Sequence, residues 1–121
     1  MVRILLAEDE AATRDLVRRA LEAEGHSVDV MESGGDALEF MARAPSQFQL
    51  LVTDVNMPGM DGFELAAKAR ALNPKLAVVL MSGLIEQLER AKLLSGNRYF
   101  TLSKPFTLDQ VRACVRAALA A

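Results

Sequence analysis

The sequence predicts an α/β fold in which five parallel strands form one doubly wound sheet with helices on both faces. Three observations support this prediction. Five short apolar runs recur at nearly even spacing, helical patterns of apolar residues lie between them, and the runs do not alternate between apolar and polar residues. A strand without such alternation is covered on both faces, as parallel strands with crossover helices require. The order of elements is therefore (βα)5.

Each predicted strand is short and is followed by one helix. The strands comprise residues 4–7, 28–31, 50–53, 77–81 and 99–102. The apolar stripes between and after them have helical spacing and start at Leu16, Ala37, Phe63, Leu84 and Leu108. Gly25 and Asn73-Pro74 predict the ends of the first and third helices. The fourth stripe is the weakest, and Ser95-Gly96-Asn97 at its end would give that helix slack, so we expect it to be the mobile element.

The composition is that of a single globular domain. The chain has 121 residues, of which 51% are hydrophobic and 25% charged, and its formal net charge is -2. We therefore expect one domain over residues 1–121, with no output domain because nothing remains after the fifth helix. A small negative charge gives no general attraction to nucleic acid or to an anionic membrane, so we expect neither as a direct partner.

The cysteine count and the first residues bear on the compartment. Cys114 is the single cysteine, which excludes an intramolecular disulfide and a cysteine-based metal site. The apolar run near the N-terminus is too short for the core of a signal peptide or for a membrane span. We therefore expect a cytoplasmic location.

Acidic residues follow two of the predicted strands. Glu8 and Asp9 come directly after the first strand, and Asp54 follows the third. The carboxyl ends of the strands gather at one edge of a doubly wound sheet, so these acids should meet. Two carboxylates about 4 Å apart repel by roughly 4 kcal/mol at an effective dielectric near 20, and Mg²⁺ would offset this repulsion. We expect Asp9 and Asp54 to be direct ligands, with the backbone carbonyl of Asn56 close by and Glu8 acting through water.

Ser82 and Lys104 follow the fourth and fifth strands. A phosphoryl group on Asp54 would meet the Lys104 ammonium and the Ser82 hydroxyl as well as Mg²⁺, which is the charge stabilisation that phosphoryl transfer needs. Taken singly, Asp9 could be a helix cap, Ser82 a turn residue and Lys104 a loop lysine. Their joint placement after the correct strands favours a site. Glu10 is interpreted as an ordinary acid at a helix start.

The segment at residues 54–62 reads D-V-N-M-P-G-M-D-G and forms a tight loop that opens a helix. Turn chemistry explains its proline and glycines, but not an ionisable Asp54 at the end of an apolar strand. Together with Glu8-Asp9 and Arg14, Ser82-Gly83 and Lys104-Pro105-Phe106, this segment resembles the receiver domain of two-component response regulators over essentially the whole chain.

The resemblance implies a flavodoxin-like fold with strand order 2-1-3-4-5 and a cis Lys104–Pro105 peptide. It also implies Mg²⁺-dependent transfer of a phosphoryl group to Asp54 from a phospho-histidine on a sensor histidine kinase or a histidine phosphotransferase. The chain would then be a phosphoacceptor that assists its own phosphorylation and dephosphorylation, and not an enzyme in the usual sense. Its effector would be a protein bound on the face made by the fourth helix, the fifth strand and the fifth helix.

Several residues depart from the family pattern. Thr101 stands where the family usually has Tyr or Phe, so we expect output to depend on backbone and fourth-helix movement more than on a ring flip. Ser82 replaces the commoner Thr and offers the same hydroxyl. Glu8 replaces the commoner first Asp, and its longer side chain favours a role through water. Leu84 is apolar, which would restrict attacking water and slow loss of the phosphate.

Within the family, the sequence is most similar to small stand-alone regulators of the CpdR type, which control regulated proteolysis. The C-terminal Leu119-Ala120-Ala121 resembles apolar degrons, although a fraying alanine-rich helix end is an equal explanation. Two alternatives remain: a receiver module that binds protein without phosphorylation, and a receiver taken from a hybrid histidine kinase. A haloacid dehalogenase would need an acid in place of Asn56. The acids after the first strand would repel the phosphate of a flavin nucleotide.

Overall fold

The computed structural model of the protein describes residues 2–94 and 98–121. One parallel sheet lies at its centre, in the order β2-β1-β3-β4-β5. The strands are β1 (Arg3–Ala7), β2 (Ser27–Met31), β3 (Leu50–Asp54), β4 (Ala77–Ser82) and β5 (Tyr99–Ser103). The predicted fold class and strand order are confirmed. The predicted slack at Ser95-Gly96-Asn97 lies outside the described residues.

Each strand is followed by the predicted helix. The helices are α1 (Ala11–Ala23), α2 (Gly34–Ala42), α3 (Gly62–Leu72), α4 (Ile85–Lys92) and α5 (Leu108–Ala120), and a short 3-10 turn, Pro45–Gln47, precedes β3. The predicted stops are also confirmed. Gly25 has φ 90° just after α1, a value that glycine adopts at little cost, and Asn73 is the C-cap of α3. No helix in the described parts of the chain is both long and apolar enough to cross a bilayer.

Two apolar layers sandwich the sheet, which explains why its strands do not alternate in polarity. Alternate strand residues such as Leu5, Leu51 and Val78 pack with α2, α3 and Ala91 of α4. Their neighbours, such as Leu6 and Val52, pack with α1 and α5 on the other face. All residues of β3 and β4 are buried, as expected for central strands.

The α4 and β5 side of the sheet is less firmly packed. Within α4, whose residues are all described, Ala91 is the one fully buried residue, and Ile85 is 73% exposed. The weak apolar stripe predicted for this helix is therefore a real property of its packing. Next to it, β5 is an edge strand whose first three residues are half-buried. Elements with little buried apolar area are the ones that move at low free-energy cost.

Cys114 lies half-buried on α5, and its thiol donates a weak hydrogen bond to the carbonyl of Thr101 at 3.5 Å. Burial raises the pKa of this thiol to about 11. A thiol with so high a pKa is a poor nucleophile and metal ligand near neutral pH. The role of Cys114 is therefore to pack α5 against β5.

Candidate functional site

The three predicted acids meet at the carboxyl edge of the sheet. Because β1 and β3 are neighbours, with Ala7 opposite Thr53, the residues that follow these two strands leave the sheet side by side. Glu8, Asp9 and Asp54 each offer a carboxylate oxygen, and these oxygens all lie within 4.8 Å of one another. Glu8 is fully buried and Asp54 is 5% exposed, whereas Asp9 is exposed.

Lys104 reaches into this cluster from the end of β5. Its Nζ lies 3.3 Å from Glu8 Oε1 and 3.2 Å from Asp54 Oδ2, so one ammonium serves two buried carboxylates. Burial lowers the pKa of Lys104, but the combined charges of Glu8 and Asp54 outweigh it and the pKa is raised. The lysine therefore carries a positive charge throughout the neutral range.

The pKa of Glu8 is shifted by its burial and by the charges around it. Burial, its largest cause, and the neighbouring Asp54 charge raise the pKa of Glu8 to about 7, although the Glu10 backbone N–H and Lys104 act against this rise. Burial among the acids therefore outweighs the stabilisation of the Glu8 carboxylate by Lys104. A hard divalent cation fits this all-oxygen donor set, since Mg²⁺ is commonly bound through one or two carboxylates plus waters.

Arg14 holds the loop that carries two of the acids. Its Nη1 donates to the carbonyl oxygens of Glu8 at 3.0 Å and of Asp9 at 3.3 Å, and its Nη2 pairs with Glu32 at 3.3 Å. These bonds fix the backbone of the loop that follows β1. The sequence identified Arg14 only as part of a motif. Its contacts with the backbone of Glu8 and Asp9 depend on the loop conformation, which the sequence does not reveal.

The backbone around Asp54 is closely packed. Gly62 N donates to Val55 O at 2.9 Å, which folds the loop back onto the end of β3. A Cβ added at Gly62 would lie 2.3 Å from the carbonyl oxygen of Asp54, so only glycine fits. Asp61 then caps α3 by accepting the Glu64 N–H at 2.8 Å. The D-G pair that ends the motif thus starts α3 and also fixes the backbone of Asp54.

Ser82 lies at the end of β4 and is buried. Its hydroxyl donates to Gln87 Oε1 at 2.6 Å and accepts the Leu84 N–H at 3.0 Å. The side chains of Gln87 and Asn56 also form two hydrogen bonds with each other. Asn56 Nδ2 donates to Gln87 Oε1 at 2.9 Å, and Gln87 Nε2 donates to Asn56 Oδ1 at 2.8 Å. Gln87 was missed in the sequence analysis. Its one signal was its position in the first turn of α4, the helix that follows Ser82.

Four of the predicted site residues therefore come together, while the finer roles of all of them stay predictions. Glu8, Asp9, Asp54 and Lys104 share one cluster, and the cis Lys104–Pro105 peptide is present. The Asn56 side chain turns to Gln87, and the metal role of its backbone carbonyl remains a prediction. The same holds for the water-mediated role of Glu8, whose carboxylate pairs directly with Lys104.

Comparison with known proteins identifies the family. The family described as the response regulator receiver domain matches residues 4–116 of the chain. The protein belongs to the response regulator receiver domain family. Receiver domains are phosphoacceptor switches of two-component signalling and not classical enzymes. The narrower similarity to regulators of the CpdR type stays a prediction, as does the absence of an output domain.

Individual relatives of this receiver domain vary in architecture. It is 35% identical over 118 residues to the response regulator MprA of Mycobacterium leprae, covering 98% of the chain and 51% of that protein. It is 39% identical over 109 residues to the sensor protein EvgS of Escherichia coli, covering 90% of the chain but 9% of EvgS. The receiver domain of the hybrid histidine kinase CckA superposes with a TM-score of 0.82 at 32% identity, covering 97% and 98% of the two chains. The receiver spans about half or less of these curated relatives.

Gly62→Ala is expected to lower the free energy of unfolding by about 1–3 kcal/mol, because the new methyl group would overlap the Asp54 carbonyl and force the loop to shift. Urea unfolding followed by circular dichroism measures this change. Gly35→Ala is the matched control: its Cβ meets nothing within 4 Å inside α2, so its stability should stay the same or rise by up to about 1 kcal/mol. Equal stabilities of the two variants would contradict the close packing described for Gly62.

Proposed function

We propose that Asp54 of this receiver accepts a phosphoryl group from a phospho-histidine on a sensor histidine kinase or a histidine phosphotransferase, in a reaction that requires Mg²⁺. The observation that carries this proposal is the Asp54 carboxylate itself, buried beside the Lys104 ammonium at 3.2 Å and inside an acidic cluster. Burial of a carboxylate costs free energy unless the charge is paired, and the Lys104 ammonium supplies that pairing while leaving the group ionised for attack.

The chemistry would be an in-line displacement at phosphorus. A carboxylate oxygen of Asp54 attacks the phosphorus atom, the bond from phosphorus to the histidine nitrogen breaks, and its electron pair stays with the imidazole. The product is an acyl phosphate on Asp54. Negative charge on the transferred oxygens is stabilised by Lys104, and by the Ser82 hydroxyl if it turns toward them.

The residues that would hold Mg²⁺ are those of the acidic cluster. We assign Asp9 and Asp54 as direct side-chain ligands, the Asn56 backbone carbonyl as a third, and Glu8 as a ligand through water. When bound, the cation supplies positive charge to phosphoryl oxygens and offsets the repulsion among the carboxylates. Support for this assignment comes from the donor set, which consists of oxygen atoms within 4.8 Å of one another.

Output would pass to an effector protein on the face formed by α4, β5 and α5. A cleft of about 450 Å³ lies on this face, lined by Lys92, Tyr99, Phe100, Thr101, Ala113, Cys114 and Ala117. The CpdR-type similarity makes regulated proteolysis one such output. A pull-down comparing phosphorylated protein with Asp54→Asn protein would identify the effector, and equal capture by both would contradict a phosphorylation-dependent output.

Movement of α4 is a better route for this output than a ring flip. Tyr99 is held by Arg70, whose guanidinium carbon lies 4.7 Å from the ring centre, and Phe100 packs on the opposite apolar layer. Thr101, which follows them on β5, has no ring to turn. Paired structures in which either ring becomes buried only after phosphorylation would contradict this route.

A receiver that binds partners without phosphorylation is the second candidate. Acetyl phosphate with Mg²⁺ separates the two, because the first candidate predicts that the intact protein gains one phosphoryl group by mass spectrometry. Asp54→Asn should gain none, since an amide is not a nucleophile of this kind, and wild type without Mg²⁺ should gain far less. An unmodified wild-type mass under these conditions would favour the phosphorylation-independent module.

Leu84→Glu is expected to shorten the lifetime of the acyl phosphate by roughly threefold or more, because a carboxylate can accept a hydrogen bond from an attacking water that leucine cannot orient. Leu84 is 49% exposed and lies two residues after Ser82. The control is Ile85→Glu, which adds the same charge one residue farther along at a position that is 73% exposed. Following loss of the phosphoryl mass with time gives the lifetimes, and identical values for both variants would count against a role for Leu84.

A further inference from the structure

The side chain of Gln87 connects three parts of the site. It lies in the first turn of α4 and reaches back over the carboxyl edge of the sheet. Its Oε1 accepts the Ser82 hydroxyl at 2.6 Å and the Asn56 Nδ2–H at 2.9 Å, and its Nε2 donates to Asn56 Oδ1 at 2.8 Å. Gln87 therefore ties α4 both to the end of β4 and to the loop that follows Asp54.

The bond to Gln87 determines what Ser82 can do. A serine hydroxyl has one proton to donate, and here that proton points to Gln87 Oε1 at 2.6 Å. The oxygen of the same hydroxyl accepts the Leu84 N–H at 3.0 Å. Ser82 cannot donate to a phosphoryl oxygen on Asp54 while it keeps this bond. Phosphate binding by Ser82 and the bond to Gln87 are mutually exclusive.

The bond also matters for α4, because this helix has few other anchors. Ala91 is its one fully buried residue, as noted above. On the other side of Gln87, Asn56 is linked to the phosphoacceptor, since its backbone N–H lies 3.4 Å from Asp54 Oδ1. Neutral amide and hydroxyl bonds of this kind each contribute modestly to stability, so a phosphoryl oxygen, which carries charge, is the stronger acceptor for Ser82.

We propose that Gln87 is a positioning residue that engages the Ser82 hydroxyl proton and ties α4 to the end of β4 and to the loop after Asp54 in the unphosphorylated protein. Loading of Asp54 moves the Ser82 hydrogen bond from Gln87 Oε1 to a phosphoryl oxygen, and the start of α4 loses this tie to the end of β4 while its bonds to Asn56 remain. No covalent bond changes in this step. The inference rests on the proposed function of Asp54 as the phosphoacceptor.

The test uses Gln87→Met, which keeps the length and lack of charge of the side chain but removes both amide groups. Beryllofluoride with Mg²⁺ is the probe, because it occupies an aspartate as a phosphoryl group does without being hydrolysed. Titration followed by backbone amide NMR should show an apparent affinity about fivefold higher than that of wild type, since Ser82 no longer has to give up a competing hydrogen bond. Glu89→Met, at an exposed position of the same helix, should stay within twofold of wild type.

Repeating the titration in a Ser82→Ala background separates positioning from a general effect on the fold. Without the hydroxyl there is no competition, so Gln87→Met should then change the affinity less than twofold. An equal gain in both backgrounds, or no gain in either, would overturn the inference. Gln87→Asn, whose amide is one methylene too short to reach both partners, should match Gln87→Met and serves if the methionine variant folds poorly.

The side-chain amide signals of Gln87 and Asn56 give a direct readout. In the wild-type protein both pairs should shift on loading, and the Gln87 signals should also shift in unloaded Ser82→Ala. If the side-chain amide signals of Gln87 and Asn56 stay unchanged while the backbone signals report full loading, this inference is overturned but the proposed function is not. A wild-type protein that takes up neither beryllofluoride nor a phosphoryl group would overturn the proposed function and this inference together.

Discussion

The ion cluster of Lys104 with Glu8 and Asp54 is the interaction on which the rest of the site depends. Two nearly inaccessible carboxylates share one ammonium: Lys104 Nζ forms ion pairs with Glu8 at 3.3 Å and with Asp54 at 3.2 Å. Buried ion pairs add little net stability, because desolvation cancels most of the attraction. Removing one partner is costly, since it leaves the other charge buried and uncompensated. The charges of the three residues are therefore coupled, and changing any one of them affects the other two.

The fold brings this unit together from distant parts of the chain. Glu8 and Lys104 are 96 residues apart and meet because β1 and β5 lie on either side of the central strands and point the same way. The apolar residues of β3 and β4 make the sheet rigid at the place where Asp54 and Ser82 leave it. These charged side chains therefore lie together at one edge of a sheet whose central strands are otherwise apolar.

Most of this arrangement could be predicted from the sequence. Unalternating strands specified a doubly wound sheet, and that topology brought Glu8, Asp9, Asp54 and Lys104 to one edge; the strand order and the cis peptide came from the family resemblance. The contacts of Arg14 and Gln87 could not be predicted, because they depend on how a loop folds back and which way a side chain turns. Neither choice leaves a periodic pattern, and a polar residue in the first turn of a helix normally faces water.

The tight fit of Gly62 against the Asp54 carbonyl has a mechanical consequence. On the α2 side the same loop is equally confined, since a Cβ on Gly34 would lie 2.8 Å from the Met60 carbonyl oxygen. These close backbone contacts leave the loop after Asp54 little room to shift toward α2 or α3. If Asp54 gains a phosphoryl group as proposed, the neighbouring element with the least buried apolar packing is α4, which would therefore shift at the lowest free-energy cost. The close backbone contacts on one side of the site would then decide on which side the structure rearranges.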